Sequence, residues 1–136
     1  MTNKRQAGNL LQNWIQHWLE ERGWMVHNQK SAVKVIKVKG KFIFVSQRND
    51  IFGAVDLIAK KVDRPTLWIQ ATLDSGKGRK IEKLRAVPFS FLRSDDVQLW
   101  IDRGGRQITI FDLNGDCMGK IIRRVFYPIE GSGQEF

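Results

Sequence analysis

The stretch FGAVDLIAKKVDRPTLWIQAT, residues Phe52–Thr72, contains two apolar segments on either side of a charged turn. The two segments predict strands, and VDRP between them contains residues that favour a turn. Each segment also carries polar residues, which are Asp56 in the first and Gln70 and Thr72 in the second. The stretch therefore predicts two neighbouring strands in which polar side chains interrupt an apolar sheet.

Side chains alternate along a strand, and this sets which of the polar residues share a face of the sheet. Gln70 and Thr72 share one face, and Asp56 converges with them near one end if the two strands are neighbours. A carboxylate among apolar residues is costly unless it is hydrogen-bonded, paired with a charged group or bound to a cation. Two interpretations follow: Asp56 is a structural residue bonded to a backbone amide or an arginine, or it holds a metal ion.

The rest of the chain predicts a mixed α/β domain built on one sheet. Apolar residues recur with helical spacing in AGNLLQNWIQHWLEERGW, with Trp14 and Trp18 expected in the core and Gly23 at the end of the helix. A second helix is expected near Arg79. The other predicted elements are a short strand in WMVHNQ, a hairpin around Gly40, a hairpin with Gly104–Gly105 at its tip, and a last edge strand in KIIRRVFYPI. We expect one domain over residues 1–130 and a frayed tail over residues 131–136.

The composition favours a polyanionic partner. The chain has 136 residues, a net charge of +9 and a single cysteine, Cys117. The positive charge is typical of proteins that bind nucleic acid, although other soluble proteins are also basic. A lone cysteine forms no internal disulfide, so a reducing, cytoplasmic location is expected. We expect no membrane segment, since no apolar run approaches the roughly 18 residues that a spanning helix needs.

Three features of the chain belong together. GAVDLIA places Asp56 in a strand, and WIQAT places a polar-x-polar pair in the next. The first predicted helix begins with Gly8, has Gln12 four positions later, and ends in Gly and Trp. Together these features resemble the PD-(D/E)XK nuclease superfamily, and within it the Holliday junction resolvases and related phage-type nucleases. In that comparison Gln70 takes the place of the motif Glu, Thr72 that of the motif Lys, and Gln12 that of the helix Glu.

The resemblance implies a restriction-endonuclease-like fold, an α/β domain with one central mixed β-sheet flanked by helices. It also implies an endonuclease that uses Mg²⁺ or Mn²⁺, acts on DNA and forms a homodimer, encoded by a phage or a cell. In the family two carboxylates hold the metal ion and the lysine steadies the attacking water or the charge on phosphate. This chain departs from that pattern, because Gln12 and Gln70 are neutral and Thr72 cannot replace an ammonium group. An amide oxygen still ligates Mg²⁺, but it adds no charge, so metal affinity is expected to fall.

Other residues are candidates for the missing groups. The resemblance implies that Ala71 offers its backbone carbonyl to the metal ion. Asp50 is a candidate second carboxylate, although it also fits a turn residue that caps local backbone. Lys60 is a candidate for the missing lysine, with Lys80 and Lys83 as alternatives. The expected chemistry is phosphodiester hydrolysis, in which the cation polarises a phosphoryl oxygen and lowers the pKa of a bound water.

Basic residues near these positions predict contacts with the phosphate backbone of DNA. The residues predicted to bind DNA are Lys77, Arg79, Lys80, Lys83 and Arg48. The alternative for the segment SGKGRKIEKLR is a solvated helix face. Arginines of the C-terminal half add charge without an arrangement that implies base reading, so recognition of backbone and shape is expected.

Three functions are consistent with the sequence. The first is a metal-dependent endonuclease that hydrolyses DNA, including branched, Holliday-junction-like DNA. The second is a catalytically weak or inactive nucleic-acid-binding module on the same fold, which the missing Glu and Lys favour. The third is a basic interaction protein of a larger assembly, in which the polar strand residues are structural.

Overall fold

The computed structural model describes residues 4–29, 32–47, 51, 54–73, 76–87 and 95–136. Within these ranges the chain forms a seven-stranded sheet, two helices and a separate two-stranded hairpin. The elements in chain order are α1 (Lys4–Glu20), β1 (Met25–Asn28), β2 (Ala32–Val38), β3 (Lys41–Gln47), β4 (Leu57–Lys60), β5 (Thr66–Thr72), α2 (Lys77–Arg85), β6 (Asp95–Gly104), β7 (Gln107–Phe111), β8 (Cys117–Ile122) and β9 (Val125–Pro128).

The large sheet is mixed, with the strand order β1-β4-β5-β6-β7-β8-β9. Strands β1, β4 and β5 pair antiparallel, and α2 then crosses over so that β6 lies parallel to β5. Strands β6 to β9 continue as an antiparallel meander. The predicted α/β domain with one central mixed sheet is confirmed at this level, and the hairpin predicted around Gly40 is present as β2 and β3.

Helix α1 forms because its apolar residues recur on one face and bury against the sheet. Leu11, Ile15 and Trp18 are buried, whereas Trp14 is only partly covered. The helix ends where Gly23 adopts a positive φ of 90°, a conformation that glycine accepts without steric cost. Within the described ranges, no helix is long and apolar enough to cross a membrane.

The two helices cover opposite faces of the sheet. On the α1 face the core contains Leu57, Ile69 and Trp100. On the α2 face Leu84 packs in a second core with Leu99. Because paired strand residues share a face, the pairing of Gln70 with Leu99 and of Ala71 with Trp100 places Gln70 on the α2 face and Ala71 on the α1 face.

The last residues of the chain pack against the core, so the expectation of a frayed tail over residues 131–136 is wrong. The ring of Phe136 lies edge-on to Trp18, Trp100 and Phe126, with ring centroids 5.3, 5.5 and 4.9 Å away. Gln134 accepts a hydrogen bond from the Gln98 side chain at 2.9 Å. Burial of an aromatic ring outweighs the flexibility that Gly and Ser give to this segment.

The predicted last edge strand in KIIRRVFYPI is instead a hairpin of β8 and β9. Its two turn residues, Arg123 and Arg124, have positive φ values of 49° and 73°. Such a turn usually contains Asn or Gly, so the sequence gives no turn signal here. The strain is offset by hydrogen bonds to the Arg124 carbonyl from Trp18 Nε1 and Arg22 Nη2, both at 2.9 Å.

Gly119 in β8 has no room for a side chain. A Cβ at this position would lie 2.5 Å from the Phe126 ring and 2.8 Å from the Tyr127 carbonyl oxygen. Gly119→Ala is therefore expected to lower the free energy of unfolding by about 1–3 kcal/mol, measured by urea denaturation.

Gly78→Ala is the matched control for this substitution. Gly78 lies in α2, and a Cβ there meets nothing within 4 Å. Alanine is a better helix former, so this variant should gain about 0.5–1 kcal/mol. Equal stability of the two variants would contradict the close packing between β8 and β9.

Candidate functional site

Asp56 lies directly before β4 and is fixed by both neighbouring strands. Its backbone N–H donates to the Ile69 carbonyl at 2.9 Å, and its carbonyl accepts from the Gln29 N–H at 2.8 Å. Its carboxylate oxygen Oδ2 accepts a hydrogen bond from the Ala71 N–H at 2.9 Å, although the side chain is only 5% exposed. The sequence predicts that Asp56 lies within the strand. In the structure Asp56 precedes the strand, and its carboxylate takes the place of a main-chain carbonyl as the acceptor for the Ala71 N–H.

The Ala71 contact also defines where the carboxylate lies. A strand N–H points along the plane of the sheet, so the Asp56 carboxylate lies at the edge of β5 between the two faces. The carbonyl of a strand residue points to the same edge as its N–H, and the Ala71 carbonyl therefore faces this edge as well. The structure thus brings together Asp56 and Ala71, two of the predicted metal ligands.

Gln70 and Thr72 are buried in β5, with 5% and 9% of their surfaces exposed. Leu57 of β4 pairs with Ile69 of β5, so the next pair along places Gln70 opposite Asp56. The side-chain oxygen Oε1 of Gln70 is buried and accepts no hydrogen bond from any residue in the described ranges. Gln70 therefore presents an unsatisfied acceptor at the position opposite Asp56.

Further amides gather where α1 meets β1 at the same end of the sheet. The Asn28 side chain donates to Asn13 Oδ1 and to Gln16 Oε1, both at 3.1 Å. Asn28 immediately precedes Gln29, whose N–H binds the Asp56 carbonyl, and Gln12 lies on the same turn of α1. We call these residues, which lie on the α1 face, the amide cluster: Gln12, Asn13, Gln16 and Asn28.

Three amide oxygens are buried and unpartnered within the described part of the chain: Gln12 Oε1 and Asn28 Oδ1 on the α1 face, and Gln70 Oε1 on the α2 face. Each such acceptor costs about 1–3 kcal/mol unless a donor or a cation satisfies it. Hard cations such as Mg²⁺ take oxygen ligands from carboxylates, amides and backbone carbonyls. Asp56, Gln70 Oε1 and the Ala71 carbonyl therefore form an oxygen donor set that fits a hard divalent cation, with Asp56 as its anionic ligand.

The described residues contain no group of three or more His, Cys, Asp or Glu side chains arranged to hold a metal ion. Comparisons with known proteins found no family model, curated protein or solved structure that matches this chain. The chemistry of the site therefore has to be inferred from its own residues. Among the described residues, the oxygens that the structure brings near Asp56 are those of neutral groups, namely the Gln70 amide and the Ala71 carbonyl.

Lys60 does not replace the missing lysine, so that prediction is wrong. Lys60 is at the far end of β4, four positions from Asp56, which is about 13 Å along a strand. Its ammonium group donates to Thr66 Oγ1 at 2.9 Å and is exposed. The other two predicted residues before β4, Asp50 and Arg48, lie outside the described residues.

The predicted DNA-binding residues of α2 fall into two groups. Arg79 and Lys83 are exposed, and Lys80 is partly buried. Lys77 lies with its ammonium group 4.0 Å from the centroid of the Phe111 ring, a cation–π contact. Arg79 and Lys83 remain candidates for phosphate contacts, whereas Lys77 has a structural contact of its own.

Sequence reasoning missed Asn13, Gln16 and Asn28. A signal was available in α1, because Gln12 and Gln16 are one turn apart on a helix whose other sheet-facing residues are apolar. Only Gln12 was expected to contribute to the site. Asn28 gave no signal, since a polar residue at a strand end usually contacts solvent.

Asp96 is another acid that is partly buried. It lies near the start of β6, at the end of the sheet opposite to Asp56. Burial raises the pKa of its carboxyl group, and a hydrogen bond from Gln98 at 3.2 Å lowers the pKa by less. Since the folded state holds the proton more tightly, Asp96 contributes stability below its unfolded pKa of about 4. That contribution is lost as the pH rises through the raised pKa of the folded state.

Asp96→Asn is therefore expected to stabilise the chain relative to the wild type, by an amount that grows as the pH rises above about 4. Urea denaturation across a pH series measures this difference. A pH-independent difference for Asp96→Asn would contradict the raised pKa.

Proposed function

We propose that this chain is a divalent-metal-dependent endonuclease with a restriction-endonuclease-like fold. It hydrolyses phosphodiester bonds of DNA, including branched, Holliday-junction-like DNA. The observation that carries the proposal is the buried Asp56 carboxylate at the edge of β5, 2.9 Å from the Ala71 N–H and beside the unpartnered Gln70 oxygen. This oxygen-rich donor set suits Mg²⁺ or Mn²⁺.

The order of the elements supports the fold assignment. Helix α1 precedes the antiparallel strands β1, β4 and β5, and α2 connects β5 to the parallel strand β6. Asp56 stands at the start of β4, and the Gln70-x-Thr72 pair lies in the adjacent strand β5. These are the positions at which the resemblance to the PD-(D/E)XK nucleases expects its motif residues.

Each residue of the site has a distinct role in the proposal. Asp56 is the anionic ligand, and Gln70 Oε1 and the Ala71 carbonyl are neutral ligands. Gln12 lies on the α1 face, across the sheet from Gln70, and takes no ligand role in the proposal. When bound, the metal ion supplies polarisation of a phosphoryl oxygen and activation of water. Thr72 offers a hydroxyl group that can orient phosphate by a hydrogen bond but carries no charge.

The positive charge of the chain supports DNA as the substrate. Arg79 and Lys83 are exposed on α2, which covers the same face of the sheet as Gln70. Contacts from such side chains to the phosphate backbone of DNA would give affinity without base specificity. Lys80 and Lys83 are the remaining candidates for the cationic group that Thr72 cannot replace. A homodimer would present two such sites to the two strands of a branched substrate.

The second candidate is a nucleic-acid-binding module of the same fold without catalytic activity. The observation that favours it is that Gln12, Gln70 and Thr72 are all neutral, so none of the three positions that correspond to the motif adds a charge to that of Asp56. Such a site binds a cation weakly unless phosphate completes the coordination.

A cutting assay distinguishes the two functions. Four-way junction, single-stranded and duplex DNA are incubated with the purified chain in Mg²⁺, Mn²⁺ or EDTA, beside Asp56→Ala. The nuclease proposal expects cutting that requires metal and Asp56 and leaves 5′-phosphate ends. Binding without cutting would favour the second candidate. Affinity that does not change with salt concentration would contradict both, because phosphate contacts release counterions.

A further inference from the structure

A cavity of about 680 Å³ lies between the first half of α1 and the hairpin of β6 and β7, and the proposed chemistry does not use it. Its floor is apolar and is formed by Leu10, Leu11, Trp14, Leu73 and Ile108. Leu10 is 62% exposed, so its apolar side chain faces the cavity from the solvent-exposed side of α1. A cavity of this size suits a ligand with one or two rings.

The cavity adjoins the candidate site. Leu11 precedes Gln12 in α1, and Leu73 follows Thr72 at the end of β5. Asp102, which also lines the cavity, follows Ile101, the residue paired with Thr72. The cavity therefore lies on the α1 face just beyond the end of β5, three positions or about 10 Å along the strand from Gln70.

Three arginines form the rim of the cavity: Arg106, Arg123 and Arg124. All three have positive φ values, of 63°, 49° and 73°, a backbone conformation that side-chain-bearing residues rarely adopt. The three residues belong to the two-residue turns of the β6–β7 and β8–β9 hairpins, where positive φ is usual, and these turns place the arginines at the rim. Arg124 pairs with Glu21. Among the described residues, the side chains of Arg106 and Arg123 have no hydrogen bond or ion pair.

We infer that this cavity holds an unpaired nucleotide of DNA, with its base against Trp14 and Leu10 and its phosphates at Arg106 and Arg123. The inference rests on the proposed function and adds a substrate class to it, namely DNA with a single-stranded or extruded nucleotide next to the cut. An apolar, partly aromatic floor binds a base of any sequence by stacking, and arginines bind the phosphates on either side. An apolar protein helix in the same place would leave the rim arginines without partners.

Binding of short fluorescein-labelled thymine oligonucleotides, measured by anisotropy in EDTA, tests the inference without any cutting. The wild type should bind the single strand more tightly than the matched duplex. An abasic site in the middle of the strand should weaken binding roughly tenfold, because one base no longer stacks. Leu10→Asp, at an exposed position, should remove this difference between intact and abasic strands.

The rim is tested by the double variant Arg106→Ala/Arg123→Ala. Losing two phosphate contacts should make the dependence of log affinity on log salt concentration shallower by about 1.4 for a single strand. The control is Lys61→Ala/Arg64→Ala, which removes the same charge from the β4–β5 turn at the other end of the sheet. This control should leave the abasic effect unchanged.

Equal affinity for intact and abasic strands, or for single strand and duplex, would overturn the inference. Concentration-dependent self-association that Leu10→Asp abolishes, with DNA binding unchanged, would instead assign the cavity to a second copy of the chain. Failure of the nuclease proposal has a different signature: Asp56→Asn would leave cutting intact, whatever the oligonucleotides show. An abasic effect with no cutting would support the cavity and contradict the nuclease.

Discussion

Asp56→Asn is expected to lower the rate of metal-dependent DNA cutting by at least about a thousandfold. Asp56 supplies the anionic ligand of a site whose other proposed ligands are neutral oxygens. Asparagine keeps an oxygen that can accept the Ala71 N–H, so the fold should be retained while the negative charge is lost. The measurement is the single-turnover cutting rate in Mn²⁺, together with Mn²⁺ binding in the presence of a phosphorothioate oligonucleotide.

Two controls give this result its meaning. The first control is Asp112→Asn. The Asp112 side chain orders the β7–β8 turn by accepting hydrogen bonds from the N–H groups of Asn114 and Asp116. DNA cutting should persist in this variant. Asp56→Ala additionally leaves the Ala71 N–H without its acceptor and should cost about 1–3 kcal/mol of stability. Cutting by Asp56→Asn at the wild-type rate would exclude Asp56 from the chemistry.

Gln70→Glu is expected to raise metal affinity roughly tenfold or more, since affinity for hard divalent cations increases with the charge of the ligands. Position 70 is only 5% exposed, so the new carboxylate would be buried next to Asp56. Without metal the two acids repel each other, and this lowers the free energy of unfolding. Addition of Mn²⁺ should restore the stability and increase the cutting rate. Thermal unfolding in EDTA and in Mn²⁺ measures both effects.

Gln98→Glu is the matched control, because Gln98 is fully buried in β6 and binds Gln134 and Trp100 instead of the site. A glutamate there should destabilise the chain to the same extent with and without Mn²⁺. If Gln70→Glu behaved like this control, a cation site at the edge of β5 would be contradicted.

The pairing of β4 with β5 and the burial of Asp56 and Gln70 could be predicted from sequence, because the charged turn fixes two short neighbouring strands. Strand alternation then brought the polar residues to one end. Strand alternation could not show that Asp56 lies one residue before β4. That position depends on the Asp56 carboxylate, which accepts a hydrogen bond from the Ala71 N–H. Lys60 was misplaced for a related reason: sharing a strand face does not bring residues at opposite ends together.

The rest of the site depends on contacts between residues far apart in sequence. Asn28 meets α1 only because β1 folds back along the helix. The Arg123–Arg124 turn carries no residue that favours a positive φ, and it is stabilised by donors from Trp18 and Arg22 more than a hundred positions away. Phe136 packs between aromatic rings that no local pattern brings together. Local rules give the strands, whereas packing decides the cavity and the amide cluster.

The metal site can be located by anomalous diffraction from crystals of the chain soaked in Mn²⁺. We expect one Mn²⁺ within about 2–2.5 Å of the Asp56 carboxylate, with Gln70 Oε1 and the Ala71 carbonyl among its other ligands. A well-ordered Asp56 bonded to protein groups alone, with Mn²⁺ bound elsewhere or not at all, would contradict this expectation.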